Sequence, residues 1–339
     1  VASLYLNISK LPINPVENDM TDTIYQTYTR LEHGNPDLAK IVNVNWCMGN
    51  TCNFECSYCP KSLHDGSRGW YDYASVTAFC DRIIDHYSGN TVYFEFTGGE
   101  VTLWKHFPEL CRYLRERGCK VGFISNSSRT LRWWEAILPF VDHVCLSYHP
   151  EAGDKEHFYA VASLTSQHIR THVNLMMLPG IFDELRDFAV RLTAIKNISM
   201  ALQPLLVDFG ETVFPYTAEQ QQVLDNQYDQ IARHIVHDRQ FENYRGAMAM
   251  VAPDGRRVVH AAHKFISTNN NAWQGWRCWA GIEQIVVDMT GEVFRGWCRV
   301  GGVIGHVLDA ELRLPTLPVI CNKARCHCNF DIMCTKEQA

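Results

Sequence analysis

Cys52, Cys56 and Cys59 place three thiols in the run Cys52-Asn-Phe-Glu-Cys56-Ser-Tyr-Cys59, directly after an apolar segment. Closely spaced thiolates suit a soft metal centre. A cubane iron–sulfur cluster takes four thiolates, so three from one loop leave one iron open to another ligand. An open position separates a catalytic metal centre from a structural one. Structural zinc prefers paired two-residue spacings, which the three-then-two spacing here fits poorly.

The chain holds 14 cysteines among 339 residues. A disulfide framework belongs to short secreted chains. No charged-then-apolar secretory signal opens this sequence, and no apolar run approaches the ~20 residues of a membrane span. The expected setting is reducing cytoplasm. A second thiol cluster follows far downstream: Cys278, Cys298, Cys321, Cys326, Cys328 and Cys334. Two clusters so far apart suggest two metal centres. The remaining cysteines read as buried small apolar residues.

These groups must be positioned by regular elements. Strand-like apolar runs are expected at Ile41–Trp46, Thr91–Phe96, Lys120–Ser125, His143–His149, Thr171–Leu178 and Ile198–Leu206. Helical patterns lie between them, near Tyr73–Tyr87, Phe107–Arg117, Leu131–Leu138, Lys155–His168 and Phe182–Ala194. Such alternation argues for parallel strands joined by right-handed crossovers. Active sites on these arrays sit at the C-terminal strand ends, and the cysteine loop follows a strand. Residues 1–40 are polar and irregular, an N-terminal arm, and 217–238 read as a glutamine-rich helix. Pro253-Asp254-Gly255 and Thr290-Gly291 are turn signals between alternating segments, read as hairpins.

Side chains alternate along a strand. Cys145, Ser147 and His149 therefore share a face, as do Glu95 with Thr97, Ile124 with Asn126, His172 with Asn174 and Met176, and Ala201 with Gln203. A purely apolar core would not need this set. Buried polar groups require partners, which a polar ligand would supply. Glu95 either faces this pocket or pairs with a cation, and His149 is read as a substrate contact or a satisfied structural group. The stretch Trp273-Gln274-Gly275-Trp276-Arg277-Cys278-Trp279 either packs around a metal centre or, through Trp276, covers a substrate. Asn269-Asn270-Asn271 is either a simple loop or a set of donors to hydroxyls.

The cysteine loop resembles that of the radical S-adenosylmethionine (radical SAM) superfamily. Tyr58 matches the family's aromatic residue before the third cysteine, and Thr97-Gly98-Gly99-Glu100 follows at the expected distance. The resemblance covers roughly residues 40–206. It implies an α/β fold, a partial (β/α)6 TIM-like barrel, and a [4Fe–4S] cluster on Cys52, Cys56 and Cys59 whose fourth iron is chelated by SAM. It also places Gly98, Gly99 and Glu100 beside the SAM methionine amine, and brings Asn126 and Ser147 to SAM. Asn174 and Gln203 are further cofactor candidates without a specific motif. The C-terminal cysteines resemble the auxiliary-cluster extensions called SPASM and twitch, although Cys321-x4-Cys326-x-Cys328-x5-Cys334 departs from the usual spacing. One auxiliary [4Fe–4S] cluster is expected, with ligands among Cys278, Cys298, Cys321, Cys326 and Cys328. Cys334 is the last choice, and two incompletely ligated clusters are the alternative. The expected domains are an arm (1–40), a barrel (41–206), a helical connection (207–250) and a C-terminal iron–sulfur auxiliary domain (251–339).

The family chemistry implies reductive SAM cleavage by a 5′-deoxyadenosyl route, hydrogen abstraction from the substrate, and a low-potential donor such as flavodoxin or ferredoxin. An auxiliary cluster accepting an electron would give oxidation. A thiol returning a hydrogen atom, with Cys145 or an unligated C-terminal cysteine as the candidate, would give epimerisation. Net charge is −6 and no long basic run exists, so the footprint of nucleic-acid binding is missing. A small polar metabolite, such as a sugar or aminocyclitol, is the first substrate expectation. A peptide or protein substrate is the second. A non-catalytic iron–sulfur electron carrier is the reading from another class, and its closed four-cysteine signature is not met at 52–59.

Overall fold

The computed structural model describes residues 27–207, 212–227 and 247–339. Most of the expected N-terminal arm, part of the helical connection and the glutamine-rich segment beyond residue 227 lie outside the described residues. The chain divides into two compact units. Residues 46–77 and 94–227 fall in the first, and 27–45, 78–93 and 247–339 in the second.

The chain runs through β1 (Arg30–His33), β2 (Ile41–Cys47), α1 (Tyr73–His86), β3 (Thr91–Thr97), α2 (Phe107–Glu116), β4 (Lys120–Ser125) and α3 (Leu131–Ile137). It continues through β5 (His143–Tyr148), α4 (Lys155–Ser166), β6 (Arg170–Met177), α5 (Phe182–Leu192), β7 (Ile198–Pro204) and α6 (Ala218–Asp225). In the first unit β4 to β7 lie in sequence order and are parallel. This is a mixed α/β architecture with a parallel core, consistent with the partial barrel. Each expected strand and helix between residues 41 and 204 is present, within two residues at most ends.

The local causes are plain. The strands are buried along nearly their whole length, as parallel strands covered on both faces must be. In α2 the apolar residues Phe107, Leu110, Cys111 and Leu114 recur at helical spacing and are all buried, and Pro108 sits in the first turn, where its missing N–H costs nothing. Asp154 caps α4 by accepting from the His157 backbone N–H. Aromatic rings bind helices to sheet: Phe96–Phe107, Phe107–Phe123 and Phe123–Trp134 have centroids 5.7, 5.1 and 5.6 Å apart.

The second unit adds β8 (Met248–Val251), β9 (Arg257–His260), α7 (Ala262–Ser267), β10 (Arg277–Cys278), β11 (Gln284–Val287) and β12 (Glu292–Phe294). It ends with β13 (Val303–His306), β14 (Val319–Ile320), α8 (Asn329–Ile332) and β15 (Lys336–Glu337). Its six-stranded sheet has the order β14-β10-β15-β1-β8-β9, and β13-β12-β11 line up against β2. Both turn signals join antiparallel pairs, β8 with β9 and β11 with β12. The core of this unit includes Leu31, Met248, Met250, Phe265, Trp273, Cys326, Cys328 and Ile332. Among the described residues no helix is long and apolar enough to cross a membrane.

Candidate functional site

The stem of the cysteine loop is held by backbone alone. Met48 N donates to Thr97 O at 2.9 Å, Gly99 N to Gly49 O at 3.0 Å and Glu100 N to Thr51 O at 2.7 Å. Gly98 has φ 155, and a Cβ there would lie 2.5 Å from the Gly49 oxygen. A Cβ on Gly99 would collide with the Thr51 carbonyl. Two glycines are therefore what lets the end of β3 lie flat on residues 49–51, one residue before Cys52. Asn50 braces the far side of the loop, donating to Ser62 O at 2.8 Å and Asp65 Oδ1 at 2.7 Å.

Glu100 is completely buried. Its carboxylate accepts from Thr102 Oγ1 at 2.7 Å, Thr102 N at 3.2 Å, Ser125 Oγ at 3.0 Å and Asn126 N at 2.6 Å. Burial pushes its carboxyl above the ordinary range, while these donors pull the other way. The carboxylate thus ties β3 to the end of β4, and Asn126 is positioned by it. The Asn126 side-chain amide donates to Asn53 Oδ1 at 3.0 Å and lies 3.8 Å from Cys52 Sγ. Ser127 follows with φ 65, a left-handed conformation that costs a non-glycine residue about 1–3 kcal/mol. Its buried hydroxyl has no partner among the described residues.

Cys56 is buried, whereas Cys52 and Cys59 are half-buried. The loop packs with Phe54, Tyr58, Met176, Leu178, Leu205 and Phe214. Burial pushes the Cys56 thiol up to about 11 and Cys59 to about 12, and raises Cys52 as well. Glu151 holds the loop through Ser57, whose N and Oγ both donate to it at 2.6 Å. Tyr58 is stacked on His149 at 6.0 Å, with its hydroxyl 3.0 Å from Nδ1. Burial lowers the His149 imidazole to about 4, so the ring is neutral.

Among the described residues no group of three or more His, Cys, Asp or Glu side chains is drawn together tightly enough for a single metal ion. A cubane, by contrast, takes its thiolates at separated corners. The donor set fits such a cluster: three thiols on one short loop in an apolar surround, beside an orphaned hydroxyl and an amide. The raised thiol values belong to the metal-free chain; a coordinated metal would favour the thiolates.

Deeper in the same unit the polar strand faces meet as a ladder. Cys145 pairs with His172 and Ser147 with Asn174 across β5 and β6, and Asn174 pairs with Ala201 on β7. Asn174 Nδ2 donates to Cys145 Sγ at 3.1 Å, and its Oδ1 accepts from Gln203 Nε2 at 3.1 Å. His172 lies 3.1 Å from Asn174 Oδ1 and 2.7 Å from Ser199 Oγ. Ser147 is buried directly across from Asn174. Glu95 is buried and 4.0 Å from the His143 ring. Burial lowers His172 to about 4 and His143 to about 3.

In the second unit Cys278, Cys298 and Cys334 pack together, and Cys326 and Cys328 join the adjoining apolar core. The Cys334 thiol interacts electrostatically with Cys298, which in turn interacts with Cys326 and Cys328. Cys334, the last choice on spacing, lies inside this group. The Cys321 thiol is 3.8 Å from the Lys323 carbonyl. Trp276 belongs to the core packing here, its ring 5.4 Å from Tyr28. The asparagine run serves the fold, since Asn271 pairs with the Cys326 backbone through bonds of 2.8 and 2.9 Å.

Sequence reasoning passed over Glu151, Asn53, Ser199, Asp331 and Lys336. Asn53 lies within the cysteine run but between its thiols; the others stand in no motif, and their roles come from contacts that folding creates. His172 shared a face with Asn174, and that alternation was the signal available for it.

The family model described as Radical SAM superfamily matches residues 46–192. No curated protein matches the chain. Among solved structures, native anSMEcpe with bound AdoMet and Kp18Cys peptide is similar, at 16% identity, covering 79% of this chain and 78% of that chain, with a TM-score of 0.51. Streptococcus suis SuiB bound to precursor peptide SuiA is similar at 13% identity, covering 91% of this chain and 73% of that chain, with a TM-score of 0.50. These likenesses concern the fold. Residues 46–192, carrying the three-cysteine loop and the glycine pair docked on it, are thus the part of this chain that matches the radical SAM superfamily.

Proposed function

We propose that the chain binds a [4Fe–4S] cluster through Cys52, Cys56 and Cys59, binds SAM beside it, and acts on a small polar metabolite by oxidation or epimerisation. A sugar or aminocyclitol is the chosen substrate class. The observation that supports this best is the seating of Gly98 and Gly99 on residues 49–51, which brings the cysteine loop and Asn126 together. When bound, the cluster and SAM would supply the electron and the 5′-deoxyadenosyl radical that takes a hydrogen atom from the substrate.

The chain's own residues do the rest. Three thiolates leave one corner of the cluster open. Asn126, Ser127 and Ser147 are suited to the polar groups of SAM, and Glu100 positions Asn126. The neutral ladder of His172, Asn174 and Gln203 suits a hydroxylated substrate, because it offers hydrogen bonds without a charge to desolvate. Cys145, held by Asn174, is the thiol proposed to return a hydrogen atom if the outcome is epimerisation. The thiols of residues 251–339 are proposed to hold one auxiliary [4Fe–4S] cluster, the electron acceptor if the outcome is oxidation. The low-potential donor would be a flavodoxin or ferredoxin, in the cytoplasm.

A peptide substrate is the second reading. Both similar structures above contain a peptide. The test is anaerobic reconstitution with iron and sulfide counted, then reduction with SAM and chromatography for 5′-deoxyadenosine. Panels of aminocyclitols, sugars and peptides are compared for enhanced turnover. Formation enhanced by a sugar or aminocyclitol supports the first reading, and by peptides alone the second. A reducible cluster that leaves SAM intact with every panel would instead fit an electron carrier.

A further inference from the structure

Lys336 is among the largest fully buried side chains, 1% exposed. A buried lysine is rare and costs several kcal/mol unless its charge is met. Its ammonium donates to the carbonyls of Asp331, Ile332 and Cys334 at 2.7, 3.0 and 2.8 Å and stands 4.7 Å from the Trp273 ring. These contacts satisfy its three protons but bring no net charge. Among the described residues it makes no ion pair. The nearby Asp331 carboxylate is occupied by Gln284 Nε2, Trp297 N and Cys298 N at 2.6, 3.0 and 2.6 Å.

The sheet pairing sets a thiol beside this lysine. Lys336 is the direct antiparallel partner of Cys278, so the two side chains share a face of the sheet. Its ammonium is bonded to the Cys334 carbonyl, and Trp273, over whose ring it lies, belongs to the same buried cluster as Cys326 and Cys328. Three neutral thiols would give a buried cation little return, whereas a thiolate-ligated cluster is anionic and would meet it.

We infer that Lys336 is the internal counter-cation of a thiolate centre that includes Cys278, Cys326 and Cys334, and that it sets that centre's reduction potential. This rests on the auxiliary-cluster reading above. Lys336 is a positioning residue here: it stabilises the more negative, reduced form of the centre through space.

The test uses the full chain carrying Cys52→Ala, Cys56→Ala and Cys59→Ala, anaerobically reconstituted, so that only the C-terminal centre is read. About four irons should remain, as one cubane requires. Absence of iron and sulfide would overturn the auxiliary-cluster reading itself. With that iron present, a potential titration followed by electron paramagnetic resonance is compared for Lys336→Gln and Lys336→Arg. The glutamine variant should lower the reduced-to-oxidised ratio at fixed potential about tenfold, a shift of about 59 mV for one electron. The arginine variant should stay near the parent. An unchanged midpoint in a fully loaded Lys336→Gln protein would overturn the inference while sparing the cluster. If that variant does not fold or load, Asp331→Asn supplies the reverse arm. Removing the opposing charge should raise the midpoint, and a loaded Asp331→Asn protein with no shift would overturn the inference.

Discussion

The two thiol groups of this chain differ in how open they are and in what charge accompanies them. At 52–59 two of three cysteines are half-buried, the neighbours are apolar and aromatic, and the Glu151 carboxylate is spent on Ser57. In the C-terminal group every cysteine but Cys298 is buried, and a lysine and an aspartate are enclosed with them. The first arrangement suits a centre that must admit a further ligand. The second suits one that is closed and whose charge is balanced by the protein. Openness is built from backbone, through two glycines that bring the loop stem against β3. Closure is built from side chains and a short helix.

The largest effect that would break this comparison is at the open loop. Replacing Cys52, Cys56 and Cys59 with alanine should abolish 5′-deoxyadenosine formation while the C-terminal iron stays, measured by chromatography and iron assay. Continued SAM cleavage would remove the loop from the chemistry. Gly99→Ala comes next, because its Cβ would strike the Thr51 carbonyl. Overpacking of this kind costs about 1–3 kcal/mol, so the midpoint of thermal unfolding should fall and SAM cleavage with it. A variant with the parental melting temperature and activity would show that the close backbone approach is dispensable.

A subtler effect separates the polar ladder from both thiol groups. His172 is held near 4 by burial, below its ordinary value of 6.5. Its depressed value means that the unfolded chain takes up a proton first as pH falls. The stability its neutral form contributes is present above 6.5 and is lost as pH drops towards 4. Denaturant titrations between those limits should show this loss, and His172→Gln should make it shallower, with His149 contributing the remainder over the same range. An equally steep profile in the variant would assign the pH dependence elsewhere. The smallest effect is expected at Cys321, which is not among the residues packed with Cys298 and Cys334. Cys321→Ser should leave the iron content unchanged, whereas Cys334→Ser should lower it by about four irons, one cubane. The opposite result would restore the ligand set suggested by spacing alone.

The strand and helix alternation from residue 41 to 204 was legible in the chain because periodicity is local. Runs such as Lys120–Ser125 and the Phe107, Leu110, Cys111, Leu114 stripe need no distant partner to be recognised. The cysteine loop and the glycine pair were legible for the same reason: coordination spacing and close backbone approach are written in short stretches. The alternation rule also put Cys145 with Ser147, Asn174 with His172 and Gln203 with Ala201 on faces of their own strands, while the register between strands came from folding. What folding alone decided was which distant groups meet. Glu100 as a tie between β3 and β4, Glu151 on Ser57, Cys334 rather than Cys321 beside Cys298, and Lys336 opposite Cys278 all join residues by register and burial. The free energy of a buried charge depends on its three-dimensional neighbours. No spacing along the chain announces that Lys336 is enclosed among thiols.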